Sequence, residues 1–194
     1  MAQQDRGPAA LLDRDSSGLL IVDLQVRLLP VIAHHQAVLS RARLLLQAAA
    51  ELRVPLLATV HAPDSLGPLV PVVESEVPTA NQVGKTAFGA CQEAAFMEAL
   101  GRIGRRTIVV AGTETHICVL QTALGLLQNG YRVAIVADAC GTRHALDHSC
   151  ALDRLARAGA EIVSSDMVVF EWLNRADHPA FRKLLPGIKR GQAA

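Results

Sequence analysis

Residues 111–139 read AGTETHICVLQTALGLLQNGYRVAIVADA, and their reading decides the fold. The stretch opens at the end of the apolar run RTIVVAG (106–112) and turns at Gly112. From Thr115 to Asn129, Val119, Leu120, Ala123, Leu124, Leu126 and Leu127 cover most of a helical circumference, which predicts a helix buried on nearly every side. Gly130 follows where a chain leaves a helix through the left-handed region. YRVAIVADA (131–139) is then a second strand, rich in β-branched residues and ending in Asp138. Strand, helix and strand in succession read as a parallel pair joined by a crossover helix.

The same alternation extends in both directions. GLLIVDLQ (18–25) reads as a buried strand with Asp23 at its carboxyl end, and the segment from His35 to Glu51 has helical spacing. VPLLATVH (54–61) is a strand led in by Pro55. Residues 62–89 carry several Pro and Gly and little periodicity, so they read as a long loop, a feature that is often functional. CQEAAFMEAL (91–100) reads as a helix closed by Gly101, and ALDHSCALDRLARAG (145–159) as one closed by Gly159. AEIVSS (160–165) is a last strand, DMVVFEWL (166–173) a short helix with Asp166 as N-cap, and 174–194 an exposed extension or an oligomer contact. The pattern predicts an α/β fold, a parallel sheet with helices on both faces. Ligands in such sheets bind at the carboxyl ends of the strands, where the strand order switches. Asp23, His61, Gly112 and Asp138 all fall at such ends.

Composition narrows the function classes. The chain has 194 residues, 51% of them apolar but only 3% aromatic, which suits strands buried on both faces by helices. One domain is expected over 1–194, with its core at about 18–173. A formal net charge of +1 and the lack of a basic stripe speak against nucleic acid and against anionic membrane surfaces. No apolar run reaches the roughly 18 residues a membrane span requires. The opening MAQQDRGPAALLDRDSSG lacks the apolar core of a signal peptide, so a cytoplasmic protein with reduced thiols is expected. The cysteines at 91, 118, 140 and 150 have no CxxC spacing. VGKT (83–86) lacks the preceding GxxxxG frame of a phosphate loop.

Three side chains could carry chemistry. Cys118 lies near a helix head, where unpaired N–H groups and the macrodipole favour a thiolate nucleophile; the competing reading is a packed core cysteine. Asp23 is either a general base or a strand-end carboxylate tying down the next turn. Lys85, in NQVGKTAFGA (81–90), is either a solvated loop lysine or an ammonium that stabilises a thiolate and the anions of a reaction. Gln25, His61, Phe88 and Thr115 are candidate pocket residues, and His116 could also contact a ligand. Asp138 reads as structural, and Cys91, Cys140 and Cys150 as structural or incidental.

The combination LLIVDLQ, KTAFGA and GTETHICVLQTALGLLQNGYRVAIVADA resembles the isochorismatase-like cysteine hydrolase superfamily, relatives of nicotinamidase and N-carbamoylsarcosine amidase. The resemblance runs from about Gly18 to about Leu173. It implies a three-layer α/β/α fold with a mostly parallel, six-stranded sheet. It also implies a catalytic triad of Asp23, Lys85 and Cys118 that cleaves an amide-like C–N bond of a small molecule through a thioester. A non-proline cis peptide at Thr113–Glu114 is implied as well, with this segment and the N–H of Cys118 facing the oxyanion. No cofactor is expected. The Asp-x-His metal element of nicotinamidases is replaced here by TVHAPDSLG (59–67), so no metal site is expected from His61 and Asp64. Isochorismatases proper lack the nucleophilic cysteine, so the resemblance points instead to the isochorismatase-domain-containing branch and to homo-oligomers. Two other readings stand beside it: a non-catalytic binding module of the same fold, and a thiol-based redox or detoxifying enzyme.

Overall fold

The computed structural model describes residues 10–190. Its centre is a six-stranded parallel sheet in the order β3-β2-β1-β4-β5-β6. The strands are β1 (Ser17–Val22), β2 (Leu56–His61), β3 (Gln82–Lys85), β4 (Thr107–Thr113), β5 (Arg132–Gly141) and β6 (Glu161–Val163). The helices are α1 (His35–Leu52), the single turns α2 (Pro63–Leu66) and α3 (Pro71–Glu74), then α4 (Ala94–Ile103), α5 (Leu120–Gln128), α6 (Ala145–Ala158), α7 (Ser165–Leu173) and α8 (Ala180–Arg190).

The period-two alternation of the strands sorts the core into two layers. Leu19 and Ile21 of β1, Val109 and Ala111 of β4, and Ala134 and Val136 of β5 face a layer completed by α1, α7 and α8. Leu20 and Val22, Ile108 and Val110, and Val133 and Ile135 face the other layer, completed by α4, α5 and α6. Every residue of β1 and β4 is buried, as central parallel strands require. The α/β/α sandwich expected from the sequence is therefore the observed fold.

Several elements differ from expectation. The loop at 62–89 contains β3, which pairs only with β2, from Ala58↔Gln82 to His61↔Lys85. Its sequence QVGK offers one apolar residue and a glycine, so pairing rather than propensity makes it a strand. The helix after it ends at Gly104, in the left-handed region at φ +65, and Gly101 lies inside it. Ser164, not Asp166, is the N-cap of α7; its hydroxyl accepts the N–H of Met167 at 3.2 Å. Within 174–194, expected as an exposed extension or an oligomer contact, Ala180–Arg190 forms α8, and residues 191–194 lie outside the described residues. Ala180, Leu184 and Ile188, four residues apart, bury one face in the α1 layer despite Pro186.

Two features shape the sheet's carboxyl edge. Gly112 has φ +134, and a Cβ there would lie 2.0 Å from the carbonyl oxygen of Val22, so only glycine lets β4 approach β1 this closely. The register of β4 against β5 shifts between Val110 and Gly112, which carries β5 past Asp138 to Gly141. Asp138 is thus inside β5 rather than at its end.

Candidate active site

The strand order reverses between β1 and β4, which opens a crevice at their carboxyl ends. Asp23 is the first residue after β1 and takes φ +49, a left-handed conformation that Asp tolerates better than most residues. Its backbone is held by neighbours on both sides: its N–H donates to the Thr59 carbonyl at 3.2 Å, and its own carbonyl accepts the Thr113 hydroxyl at 2.9 Å. The carboxylate is fully buried. Oδ1 accepts the hydroxyl of Thr59 at 2.7 Å, and Oδ2 lies 2.7 Å from the Lys85 ammonium.

Lys85 is the last residue of β3, and its side chain runs inward along the sheet edge until Nζ is fully buried against Asp23. Nζ also donates to the carbonyls of Ala87 and Phe88, each at 3.3 Å, and to Cys118 Sγ at 3.4 Å. The triad expected from the sequence therefore converges on one point, with Lys85 touching both of its partners.

Cys118 sits in a π-helical turn, Thr115–Val119, between β4 and α5. The turn is wide because the N–H of Val119 reaches back five residues to the Glu114 carbonyl, at 3.2 Å. The Thr113–Glu114 peptide bond before it is cis. The expectation of a thiol acidified by the helix head is corrected here. Burial pushes the Cys118 thiol up to about 12, and the Asp23 carboxylate adds to the rise while Lys85 opposes it. Cys118 is 5% exposed, so burial and a facing carboxylate raise the thiol in spite of the ammonium beside it. The resting site is consequently a neutral thiol beside a carboxylate–ammonium pair.

The expected pocket residues divide. His61 ends β2 beside Lys85, and its ring stacks on Phe88 with centroids 5.2 Å apart. Burial, then Lys85, lowers the His61 pKa, which keeps the ring neutral at neutral pH. Phe88 is 51% exposed, an aromatic face at the rim of the site. Gln25 and Thr115 are instead fully buried and engaged. The Gln25 amide donates to the carbonyls of His61 (2.9 Å) and Gly67 (2.6 Å) and accepts the His61 N–H (2.9 Å), so it ties β1 to the α2 turn. The Thr115 hydroxyl pairs with His148 Nδ1 at 3.0 Å. Glu114 is buried and accepts from Arg143 Nε at 3.0 Å, while His116 Nε2 lies 3.8 Å from Asp147. Asp138 holds the start of α7, accepting the Ser165 N–H at 2.8 Å and its hydroxyl at 2.6 Å. Asp64 is exposed, away from any cluster of metal-binding side chains among the described residues.

Sequence reasoning missed Thr59, Glu93 and Thr122. Thr59 is a polar residue inside the buried run of β2, which was the available signal. Glu93 accepts the N–H groups of Thr86 and Ala87, each at 2.9 Å. Thr122 on α5 accepts the Ala90 N–H at 3.0 Å.

Comparison with known proteins agrees with this fold. Residues 17–167 match the model of the isochorismatase domain. The chain is 35% identical over 175 residues to the mouse isochorismatase domain-containing protein 2A, covering 90% of this chain and 84% of the relative. Among solved structures it is similar to the MAR1 ribonuclease of Caenorhabditis elegans, with a TM-score of 0.85 at 28% identity over 93% of each chain. It is also similar to YcaC of Pseudomonas aeruginosa, determined with hexane-2,5-diol and covalent acrylamide, with a TM-score of 0.88 at 26% identity over 94% of each chain. The Escherichia coli YcaC gene product, described as an octameric hydrolase of unknown specificity, aligns with a TM-score of 0.85 at 26% identity over 95% of this chain and 90% of that one. With its buried aspartate–lysine–cysteine site and its domain match over most of its length, the chain belongs to the isochorismatase family.

Proposed function

We propose that this protein is a cysteine hydrolase that cleaves an amide-like C–N bond of a small molecule, with Asp23 as base, Lys85 as electrostatic partner and Cys118 as nucleophile. The observation that carries the reading is the contact of one ammonium with both other groups, 2.7 Å from Asp23 Oδ2 and 3.4 Å from Cys118 Sγ. The charge balance explains its value. At rest, Asp23 is negative, Lys85 positive and Cys118 neutral. As sulfur attacks the carbonyl carbon, its proton moves to Asp23, and the negative charge passes to the substrate oxygen. The site carries no net charge in excess throughout, and Lys85 faces the anion before and after the transfer.

The remaining steps follow the same proton. The tetrahedral adduct collapses, the C–N bond breaks, and Asp23 returns the proton to the departing amine. An acyl-thioester remains on Cys118. Water gives a proton to Asp23 as it adds to the thioester carbon, the C–S bond breaks, and the acid leaves as Asp23 reprotonates sulfur. The Thr113–Glu114 segment and the Cys118 N–H are assigned to the oxyanion. His61 and Phe88 form the apolar rim that receives the substrate.

Related structures bear on this reading in different ways. Covalent acrylamide in the Pseudomonas YcaC is in keeping with a nucleophile able to attack a small amide-bearing electrophile. A ribonuclease activity, as in the name of the Caenorhabditis protein, would need cations free to follow a phosphate chain. At this site Lys85 is paired with Asp23, and Arg143 with Glu114. The octameric neighbour supports assembly into a homo-oligomer. The test is hydrolysis of a panel of small amides by wild type and Cys118→Ala. Turnover that vanishes in a folded Cys118→Ala variant is expected; undiminished turnover would overturn the mechanism.

A further inference from the structure

Lys85 stands at the end of an edge strand with one neighbour, so the sheet alone holds it weakly. Two of the four groups around its ammonium are carbonyls of the following segment, Ala87 and Phe88. That segment forms no part of a strand or helix. The start of this segment is held by a carboxylate eight residues beyond the lysine. Glu93 Oε1 accepts the N–H of Thr86 and the N–H of Ala87, each at 2.9 Å, and the Thr86 hydroxyl at 3.3 Å.

We propose that Glu93 is a positioning residue for the reaction, a clamp that turns the carbonyls of Ala87 and Phe88 onto the Lys85 ammonium and so sets its distance to Cys118. The proposal rests on the triad reading above. Glu93 occupies the N-cap position of α4 but does not cap that helix with its side chain. Its side chain turns back onto the loop. The two backbone donors, Ala87 first, hold its carboxyl below the usual carboxylate range, so it is charged at neutral pH. The same loop is pinned at its far end by the Ala90 N–H on Thr122 of the nucleophile's own helix α5. It is pinned on its outer side by the stacking of Phe88 on His61. Released from Glu93, the two carbonyls lose their aim and Nζ loses two of its acceptors. It then no longer sits fixed between Asp23 and Cys118.

The test is labelling by acrylamide at pH 7.5, read by peptide mass spectrometry, with the exposed Cys150 as internal reference. Labelling forms a bond between Cys118 sulfur and the terminal alkene carbon, while the thiol proton passes through Asp23 to the carbon beside the amide. The charged groups facing the sulfur are Asp23 and Lys85, and neither is altered in the Glu93 variants. Glu93→Ala is expected to slow Cys118 labelling about tenfold, a loss on the scale of a misplaced catalytic group, with Cys150 unchanged. Glu93→Gln, which keeps an acceptor oxygen, should fall between Glu93→Ala and wild type. In a Lys85→Ala background, Glu93→Ala should add no further slowing, because it acts through the lysine. Wild-type labelling in Glu93→Ala, or fully additive slowing in the double variant, would overturn the proposal. If Lys85→Ala itself labels like wild type, it is the triad reading that fails.

Discussion

An aspartate, a basic side chain and a cysteine occur twice around this sheet, and only once do all three meet. Asp23, Lys85 and Cys118 meet at the β1–β4 crevice, with the carboxylate and ammonium both at 0% side-chain exposure. Asp138, Arg41 and Cys140 lie on or beside β5. There Arg41 Nε stands 3.6 Å from a carboxylate whose side chain is 37% exposed, and that carboxylate binds the start of α7. The Cys140 sulfur is packed in the apolar core, 3.8 Å from the Val110 carbonyl. Burial pushes both thiols up to about 12. A buried cysteine near an aspartate is therefore not enough. Only at Cys118 does a cation reach the sulfur, and that cation also pairs with the aspartate that faces the thiol.

This contrast can be broken or sharpened by measurement. The largest effect is expected in activity. Cys118→Ala should lower hydrolysis of any amide substrate by a factor of about 1,000 or more, while Cys140→Ala should stay within about threefold of wild type, read as kcat/KM. Equal losses in the two variants would erase the distinction. Next comes stability in denaturant unfolding. Lys85→Met leaves Asp23 charged and buried without its partner and should cost about 3–5 kcal/mol. Arg41→Met breaks a partly exposed pair and should cost about 0–1 kcal/mol. A small loss for Lys85→Met would mean that Asp23 is better solvated than its burial implies. The smallest effect belongs to Ser164→Ala, which removes the N-cap of α7. It should cost about 1 kcal/mol and leave Cys118 labelling unchanged.

Much of the central fold was legible because the alternation of apolar runs and helical spacing survives in β1, β2, β4 and β5. The β3 strand was not, because QVGK acquires its conformation from pairing with β2. Lys85 therefore reads as a loop lysine of either role, and only the resemblance of its motif joins it to Asp23 and Cys118. Asp23 and Cys118 both follow strands on either side of the order switch, but that order is not written in the spacing, and only the resemblance brings them together. The thiol's acidity is not legible, because a helix head is visible in a sequence while burial and the direction of a carboxylate are not. Gln25 and Thr115 looked available to ligand for the same reason. Their partners, the Gly67 carbonyl and His148, are more than thirty residues away in the chain. Glu93 carried no readable signal, since its acceptors' role depends on a loop that folds back seven residues.

The central claim is that Cys118 is neutral at rest and gives its proton to Asp23 as it attacks. The most direct measurement is the rate of acrylamide labelling at each of the four cysteines between pH 6.5 and 8.5. Buried Cys118 is expected to label ahead of exposed Cys150, with a rate nearly constant over this range, because the thiol stays protonated throughout and gives up its proton only as it attacks. In Asp23→Asn the base is gone, only the ionised thiol can react, and the rate should climb about tenfold per pH unit, as it does for a free thiol below its pKa of about 8.5. Labelling that follows exposure, with Cys150 first and Cys118 last, and a wild-type Cys118 rate that itself climbs tenfold per unit, would contradict it.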